Sequence, residues 1–448
     1  MKSRILESSV LFISISKWIF LASCVGVMVG FSTTVFLKLL GLGIASASGF
    51  KYYFLLLPFA FFASVILVKY LAPEAEGHGT EKVIEAVHKR AGKINPMVVP
   101  VKLAATIVTI ALGGSAGKEG PCAQIGAGLS SGLADLLKFN DKDRRKLVIC
   151  GISAGFATVF GTPIAGAIFG VEVLFVGGLL YDVLLPSFVA GIVGFQVSSS
   201  LGITYFHEPL NFVPVFSSFF FIKVCVGGIF LGLCSFLFVE MLKYFKELSG
   251  KLKMPMQYKG LLGGSTLALL SLLLSTRYLG LGLNSIQTSL TGGEIPRPAF
   301  FLKMLFTSIT LNFGGSGGIV TPIFFVGATA GNMFGSVFGL DPAVFAAIGM
   351  VSLLAGAANT PISASIMAIE LFGASIGPYA AVSCVISFLM TGHRSVYPSQ
   401  VLSMRKSSSI AVEKGRVMED IGKIDVQIRT KSVVGQIAKA LKKMRKIT

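Results

Sequence analysis

Charge is what this chain has least of. Only 13% of its 448 residues are Asp, Glu, Lys or Arg, against about 25% in a soluble domain. With 53% of residues hydrophobic, one aqueous core cannot absorb the apolar sequence, so the solvent for much of the chain is lipid. Cysteine is also sparse. All six cysteines lie in apolar segments and none forms a CxxC pair, so neither a disulfide framework nor a metal site is implied. Four scattered histidines without an HExxH argue against a zinc enzyme. The single tryptophan, Trp18 beside Lys17, reads as an interfacial anchor or as an ordinary residue of an apolar helix. Lys2 and Arg4 precede apolar sequence that continues past residue 40. That is too long for a signal peptide and shows no convincing small-residue cleavage site, so it reads as a retained membrane segment.

Glycine, in contrast, is abundant at 52 of 448 residues. In apolar sequence this signals close helix packing and irregular backbone. The net charge of +18 sits in loops and in the tail. A basic total can indicate nucleic acid, but here the positive-inside rule accounts for it. Apolar runs fall near 19–43, 52–72, 97–112, 121–137, 147–175, 183–203, 213–242, 260–275, 300–313, 319–339, 342–372 and 376–391. A straight span needs about 20 residues. Several runs are too short and others are long enough for a bent pair. The unevenness predicts tilted helices and helices that stop inside the membrane.

Two sequence blocks repeat. Gly113-Gly114-Ser115-Ala116-Gly117-Lys118-Glu119-Gly120-Pro121 returns as Gly314-Gly315-Ser316-Gly317-Gly318-Ile319-Val320-Thr321-Pro322, with five of nine positions identical and an offset of 201. Thr162-Pro163-Ile164 to Glu172 returns as Thr360-Pro361-Ile362 to Glu370, with five of eleven identical and an offset of 198. The loop 138–146, after the first glycine block, carries Lys138, Lys142, Arg144, Arg145 and Lys146, whereas the matching 337–346 has no Lys or Arg and one acid, Asp341. Basic loops stay cytoplasmic, so equivalent loops face opposite sides and the repeat is inverted. The basic linker 243–259 is cytoplasmic on the same rule, and both basic termini fall on that side. The expected fold is therefore an all-α integral membrane protein, an inverted-repeat bundle of tilted and re-entrant helices. Residues 1–404 form the membrane domain, with a first repeat at about 50–205 and a second at about 213–391. The tail 405–448, with Lys431, Lys439, Lys442, Lys443, Arg445 and Lys446 near its end, is too short for a usual regulatory domain. It reads as a membrane-apposed basic helix or as a disordered end.

The glycine block ahead of Lys118 invites a phosphate-loop reading. That motif needs one more residue and a Ser or Thr after the Lys. Glu119 stands there instead, and a carboxylate repels phosphate. A nucleotide-binding enzyme is thereby disfavoured. The alternative is an anion site made of helix ends. A helix N-terminus presents unpaired N–H groups and about half a positive charge. Gly117 and Gly120 allow close backbone approach, and Pro121 suits a first helical turn. Residues 120–137 thus read as a helix starting inside the protein with Glu119 at its positive end, and Thr321-Pro322 starts the mirror-image helix. Two such ends facing each other cradle an anion without a full positive charge, which suits a site that must also release it. An ionisable group at membrane depth is functional by default.

These residues resemble the CLC family of chloride channels and proton-coupled chloride exchangers over roughly 15–400. GKEGP at 117–121 resembles the family's GREGP-type motif, and Gly318 to Pro322 its GxFxP motif. Gly77-His78-Gly79-Thr80-Glu81 stands where the family has GSGIP. Pro100-Val101-Lys102 fits the next segment, and Tyr397 stands at the pore-facing tyrosine. The resemblance implies that Glu119 is the gating glutamate. It places the anion against His78, Gly79, Lys118, Gly120, Ile319, Val320 and Tyr397. It also implies a homodimer with one pore per subunit. Lys102 either adds attractive potential or snorkels to the interface. Three departures follow. His78 replaces a serine, and its imidazole either donates N–H or points aside and leaves binding to backbone amides. Val320 replaces a phenylalanine. Glu172 matches the first of two glutamates, but Val173 occupies the internal proton-glutamate position and cannot carry a proton. Glu172, with Glu370, can also serve simply to end a helix by hydrogen bonds.

The sequence therefore predicts chloride permeation through a pore gated by Glu119, channel-like because of Val173. The alternative is a proton-coupled antiporter of chloride or another halide such as fluoride. No enzyme activity, cofactor, metal, nucleotide or nucleic acid is expected. The expected setting is the plasma membrane of a prokaryote.

Overall fold

The apolar runs become helices of very unequal length. The computed structural model describes residues 2–205, 217–421, 425–426 and 436. The first half comprises α1 (Lys2–Ser48), α2 (Leu57–Leu71), α3 (Thr80–Lys89), α4 (Val98–Ala111), α5 (Glu119–Leu136), α6 (Asp141–Phe160), α7 (Pro163–Glu172), the short strand β1 (Phe175–Val176) and α8 (Tyr181–Ser200). The second half comprises α9 (Ser218–Lys251), α10 (Met256–Leu273), α11 (Leu283–Leu290), α12 (Ala299–Asn312), α13 (Val320–Val337), α14 (Pro342–Ala358), α15 (Pro361–Phe372) and α16 (Gly377–Met390). Strands β2 (Val401–Leu402), β3 (Ile410–Ala411) and β4 (Asp425–Val426) follow.

Among the described residues, five helical stretches are long and apolar enough to cross a bilayer: Leu6–Ser48, Tyr53–Leu71, Tyr181–Ser200, Ser218–Lys251 and Val320–Val337. Several others are half-length. Ten residues of α7 reach about 15 Å, half of a hydrocarbon core of about 30 Å. The protein is thus an integral, multi-pass, inverted-repeat bundle whose short helices end inside it.

The breaks are written locally. Asn140 starts α6 by accepting from the Lys142 and Asp143 amides at 3.0 and 2.9 Å. Asp341 starts α14 the same way, from the Ala343 and Val344 amides at 2.8 and 3.3 Å. At the far ends, Gly161 (φ 72°) and Asn359 (φ 58°) adopt the left-handed conformation that stops a helix. Pro163 and Pro361 then open α7 and α15, where a missing N–H costs nothing. The long runs 147–175 and 342–372 are therefore bent pairs.

Small residues hold the halves tight. A Cβ on Gly126 of α5 would lie 2.4 Å from the Gly151 carbonyl oxygen of α6, and one on Gly151 would lie 2.5 Å from that of Gly126. Gly327 of α13 and Gly349 of α14 repeat the contact at 2.4 and 2.2 Å. In lipid, packing of this kind replaces the hydrophobic drive between helices.

The tail begins as part of the domain. β2 pairs in parallel with β1, and Val176, Phe388, Leu402, Val412 and Met418 form a small separate core. The Lys406 ammonium donates to Asn359 Oδ1 and to the Phe388 carbonyl, both at 2.6 Å. It thus satisfies oxygens at the ends of α14 and α16. The basic cluster Lys431, Lys439, Lys442, Lys443, Arg445 and Lys446 lies outside the described residues.

Candidate functional site

The two glycine blocks meet each other. Gly117 N donates to Gly318 O at 2.7 Å, and Gly318 N donates to Gly117 O at 2.6 Å. Around this antiparallel bridge the partners repeat in mirror fashion. Ser115 N donates to Thr310 Oγ1 and Ser316 N donates to Thr109 Oγ1, each at 3.0 Å. The Ser115 hydroxyl lies 3.0 Å from that of Thr307, and Thr106 lies 3.3 Å from Ser316. A polar seam, closed on itself, crosses the apolar interior and satisfies backbone where helices stop.

Three helix starts converge on this seam. Helix α5 begins at Glu119 and α13 at Val320, each within one residue of the expected start. The His78 carbonyl, just ahead of α3, sits where a Cβ on Gly120 would fall, 1.9 Å away. Gly79 (φ 82°) is as close to the Gly120 carbonyl, 2.3 Å from its own missing Cβ. Gly318 lies against the Gly120 amide, 2.6 Å from where its Cβ would be. Only glycine on both sides allows the starts of α3, α5 and α13 to touch.

Glu119 is fully buried. Its carboxylate turns from its own helix to the start of α13, where Oε2 accepts from Thr321 N at 3.1 Å and Oε1 takes the Thr321 hydroxyl. The side chain thus lies across the bridge, against Gly117. Ile319 and Val320 are buried beside it, but the amide that holds the carboxylate belongs to Thr321. Lys118, the residue before α5, is half-buried.

His78 is half-buried, and its Nδ1 makes no hydrogen bond of normal geometry among the described residues. Tyr397 is fully buried, and its hydroxyl makes no hydrogen bond of normal geometry among the described residues. Its segment is tied to α3 by Ser399, whose amide donates to Glu81 Oε1 at 2.9 Å. An orphaned polar atom in a dry interior is costly, and here one belongs to the residue whose carbonyl meets Gly120 and the other to the segment tied to α3.

Lys102 does not snorkel. It is fully buried on α4 and donates to Ala75 O at 3.1 Å and Gly77 O at 2.6 Å, directly behind the His78 loop. Lys303 on α12 is its mirror, equally buried, donating to Tyr278 O at 3.0 Å and Gly280 O at 2.7 Å. Sequence reasoning overlooked Lys303, although it stands as far before Gly314 as Lys102 does before Gly113. It took Thr321 only as the start of the mirror-image helix and not as the partner of Glu119, because that carboxylate lies in the other half.

Glu172 and Glu370 form a reciprocal pair. Glu172, ending α7, accepts from Ile362 N and Ser363 N at 3.0 and 2.8 Å. Glu370, near the end of α15, accepts from Ile164 N and Ala165 N at 3.0 and 2.8 Å. Each glutamate therefore starts the other's helix rather than ending its own. Glu172→Ala leaves two amides unsatisfied in a largely buried place and is expected to cost about 2 kcal/mol, read as a lower melting temperature in detergent. A wild-type melting temperature would count against the pair. Val173 is fully buried, and its carbonyl accepts from Gln400 Nε2 at 2.7 Å.

Comparison with known proteins bears on the family and the fold. The family model described as voltage gated chloride channel matches residues 59–392. A chloride/fluoride channel protein of Pseudomonas syringae pv. tomato is 34% identical over 425 residues, 93% of each chain. The crystal structure of a CLC-type fluoride/proton antiporter aligns with TM-score 0.83 and 29% identity, covering 88% of this chain and 99% of that one. A slow cyanobacterial Cl−/H+ antiporter shares the fold at TM-score 0.73 and 21% identity, over 84% and 94% of the two chains. Opposed helix starts joined through two glycine blocks, in a chain this similar over this length, place the protein in the voltage-gated chloride channel family, as an anion-transporting membrane protein.

Proposed function

We propose that this protein exchanges a small halide, chloride or fluoride, for protons, with Glu119 as the shared element of both paths. The observation that carries this is the Glu119 carboxylate seated on the Thr321 amide at the start of α13. A helix start offers N–H groups and partial positive charge to one anion at a time. While Glu119 is ionised, its own carboxylate is that anion. Once protonated it loses the charge that holds it there, and a halide takes its place. The Glu119 carboxylate and the halide therefore exclude each other at one position, and the proton on Glu119 decides which of them holds it, so the two movements are linked.

The remaining groups suit a weakly bound anion. His78 Nδ1 and the Tyr397 hydroxyl make no hydrogen bond of normal geometry among the described residues and are able to donate. The backbone at Gly79, Lys118, Gly120, Ile319 and Val320 surrounds the helix starts. Lys102 and Lys303 add positive potential from opposite halves without touching the ion. Fluoride stands beside chloride because the two most similar proteins above carry fluoride in their names. The working unit in this reading is a homodimer in a prokaryotic plasma membrane. The basic loop 138–146 fits cytoplasmic termini.

A second reading, a passive channel gated by Glu119, is favoured by one observation: Val173 puts no acid at the internal position. Purified protein in liposomes separates the two. Exchange predicts that an imposed proton gradient drives halide against its own gradient, and that halide flux moves protons in a fixed ratio. A reversal potential set by the halide alone, indifferent to the proton gradient, would sink the exchange reading and leave the channel. Parallel assays with fluoride and chloride rank the ions.

A further inference from the structure

Exchange needs a route for protons from the cytoplasmic side, and Val173 offers no acid to it. Among the described acids, Glu81 on the first turn of α3 has the required placement. Its Oε1 accepts from both the amide and the hydroxyl of Ser399. Its Oε2 is buried and has no partner among the described residues. A carboxyl group with one satisfied and one empty buried oxygen is suited to both protonation states. A proton on Oε2 disturbs neither Ser399 bond, and it relieves the cost of a bare charge.

With the basic linker and the tail on the cytoplasmic face, Glu81 is joined to that side through Ser399 and to the anion site through the His78 loop ahead of α3. On the outward route, the buried Tyr397 stands two residues before Ser399, the residue that holds Glu81 Oε1. Glu81 is three residues from His78 along the chain. On the cytoplasmic side the charged groups in reach of Glu81 are Lys82 on its own helix and Glu419 of the tail. Lys82 is paired with Glu85 at 3.2 Å. Glu419 is paired at 3.1 Å with Lys246 of the basic linker, and its amide donates to Pro398 O at 2.9 Å. The docked tail thus brings the Glu81 end of α3 up against the linker.

We propose that Glu81 is the internal proton-transfer residue, taking the part that Val173 cannot play. The inference rests on the exchange reading above. The O–H bond at Glu81 Oε2 breaks, and the proton passes through water to form an O–H bond on the Glu119 carboxylate. The Glu81 carboxylate left behind takes the next proton from the cytoplasm. No electron or other group moves, and the reverse order runs the cycle backwards.

The test measures proton and halide flux together in liposomes for the wild type, Glu81→Gln and Glu81→Asp. Glutamine keeps an oxygen for Ser399 but carries no proton, while aspartate keeps the acid. Glu81→Gln is expected to retain halide flux within about threefold and to lower the proton-to-halide ratio at least tenfold. Glu81→Asp is expected to keep a ratio near that of the wild type. A wild-type ratio in Glu81→Gln overturns the assignment while leaving exchange intact. Loss of halide flux in both variants makes Glu81 structural and also overturns it. A wild type that moves no protons overturns the exchange reading itself, and the assignment with it.

Discussion

Glu119→Gln is expected to abolish proton movement and to flatten the pH dependence of halide flux. The physical reason is competition at the start of α13. In the native chain a charged carboxylate accepts from the Thr321 amide at 3.1 Å and from its hydroxyl. Hydrogen bonds to a charged group contribute about 1.5–3 kcal/mol, so an incoming halide must displace a strongly held anion of the protein itself. A carboxamide oxygen can still accept from the Thr321 amide, but without charge, and it never takes up a proton. The halide then meets a competitor weakened by roughly tenfold to a hundredfold, the factor that those energies correspond to. Halide binding should tighten by that order, and proton flux should fall into the background. Isothermal titration with halide and flux at several pH values provide the measurements. An unchanged pH profile would show that another group gates the path.

Gly120→Ala is expected to do more damage than any other substitution that adds a single carbon to the site. The new Cβ would fall 1.9 Å from the His78 carbonyl oxygen and 3.0 Å from Gly318 Cα. Both neighbours are backbone, so neither can rotate away. Overpacking typically costs about 1–3 kcal/mol, and more where backbone must shift. Here three helix starts would be pushed apart together, so about 3 kcal/mol or more is expected. The melting temperature should drop, and halide flux should fall at least tenfold in whatever protein survives. Cys122→Ala, two residues on and equally buried, serves as the control because it removes volume instead of adding it. A Gly120→Ala protein with normal flux would mean that α3 and α5 do not touch as described.

The parts of this protein that were legible in the linear sequence are those set by single residues and short spans. Pro163 and Pro361 after Gly161 and Asn359 announce the bends, because a left-handed residue and a missing N–H act on the backbone where they stand. The 201-residue offset of the glycine blocks survives because glycine cannot be replaced where backbone touches backbone. The polar helices α3 and α11 were not legible, since neither is an apolar run. Helix α1 was underestimated, with an expected run near 19–43 against the observed Lys2–Ser48. Its Ser- and Lys-bearing ends contain no helix breaker, so the helix continues beyond its apolar centre.

The sequence by itself determined that the chain lives in lipid, that its halves are inverted copies, and that a single carboxylate, Glu119, stands at a helix start inside apolar sequence. Each follows from composition, charge placement or backbone-restricting residues, which act without knowledge of distant partners. Only the tertiary structure decided that Glu119 rests on Thr321, that Lys102 and Lys303 are mirror images, that Glu172 and Glu370 start each other's helices, and that Glu81 has an empty oxygen. Those pairings join residues up to some two hundred positions apart. They exist because polar groups inside a membrane must find partners across the bundle, and which partners they find depends on how the two halves cross.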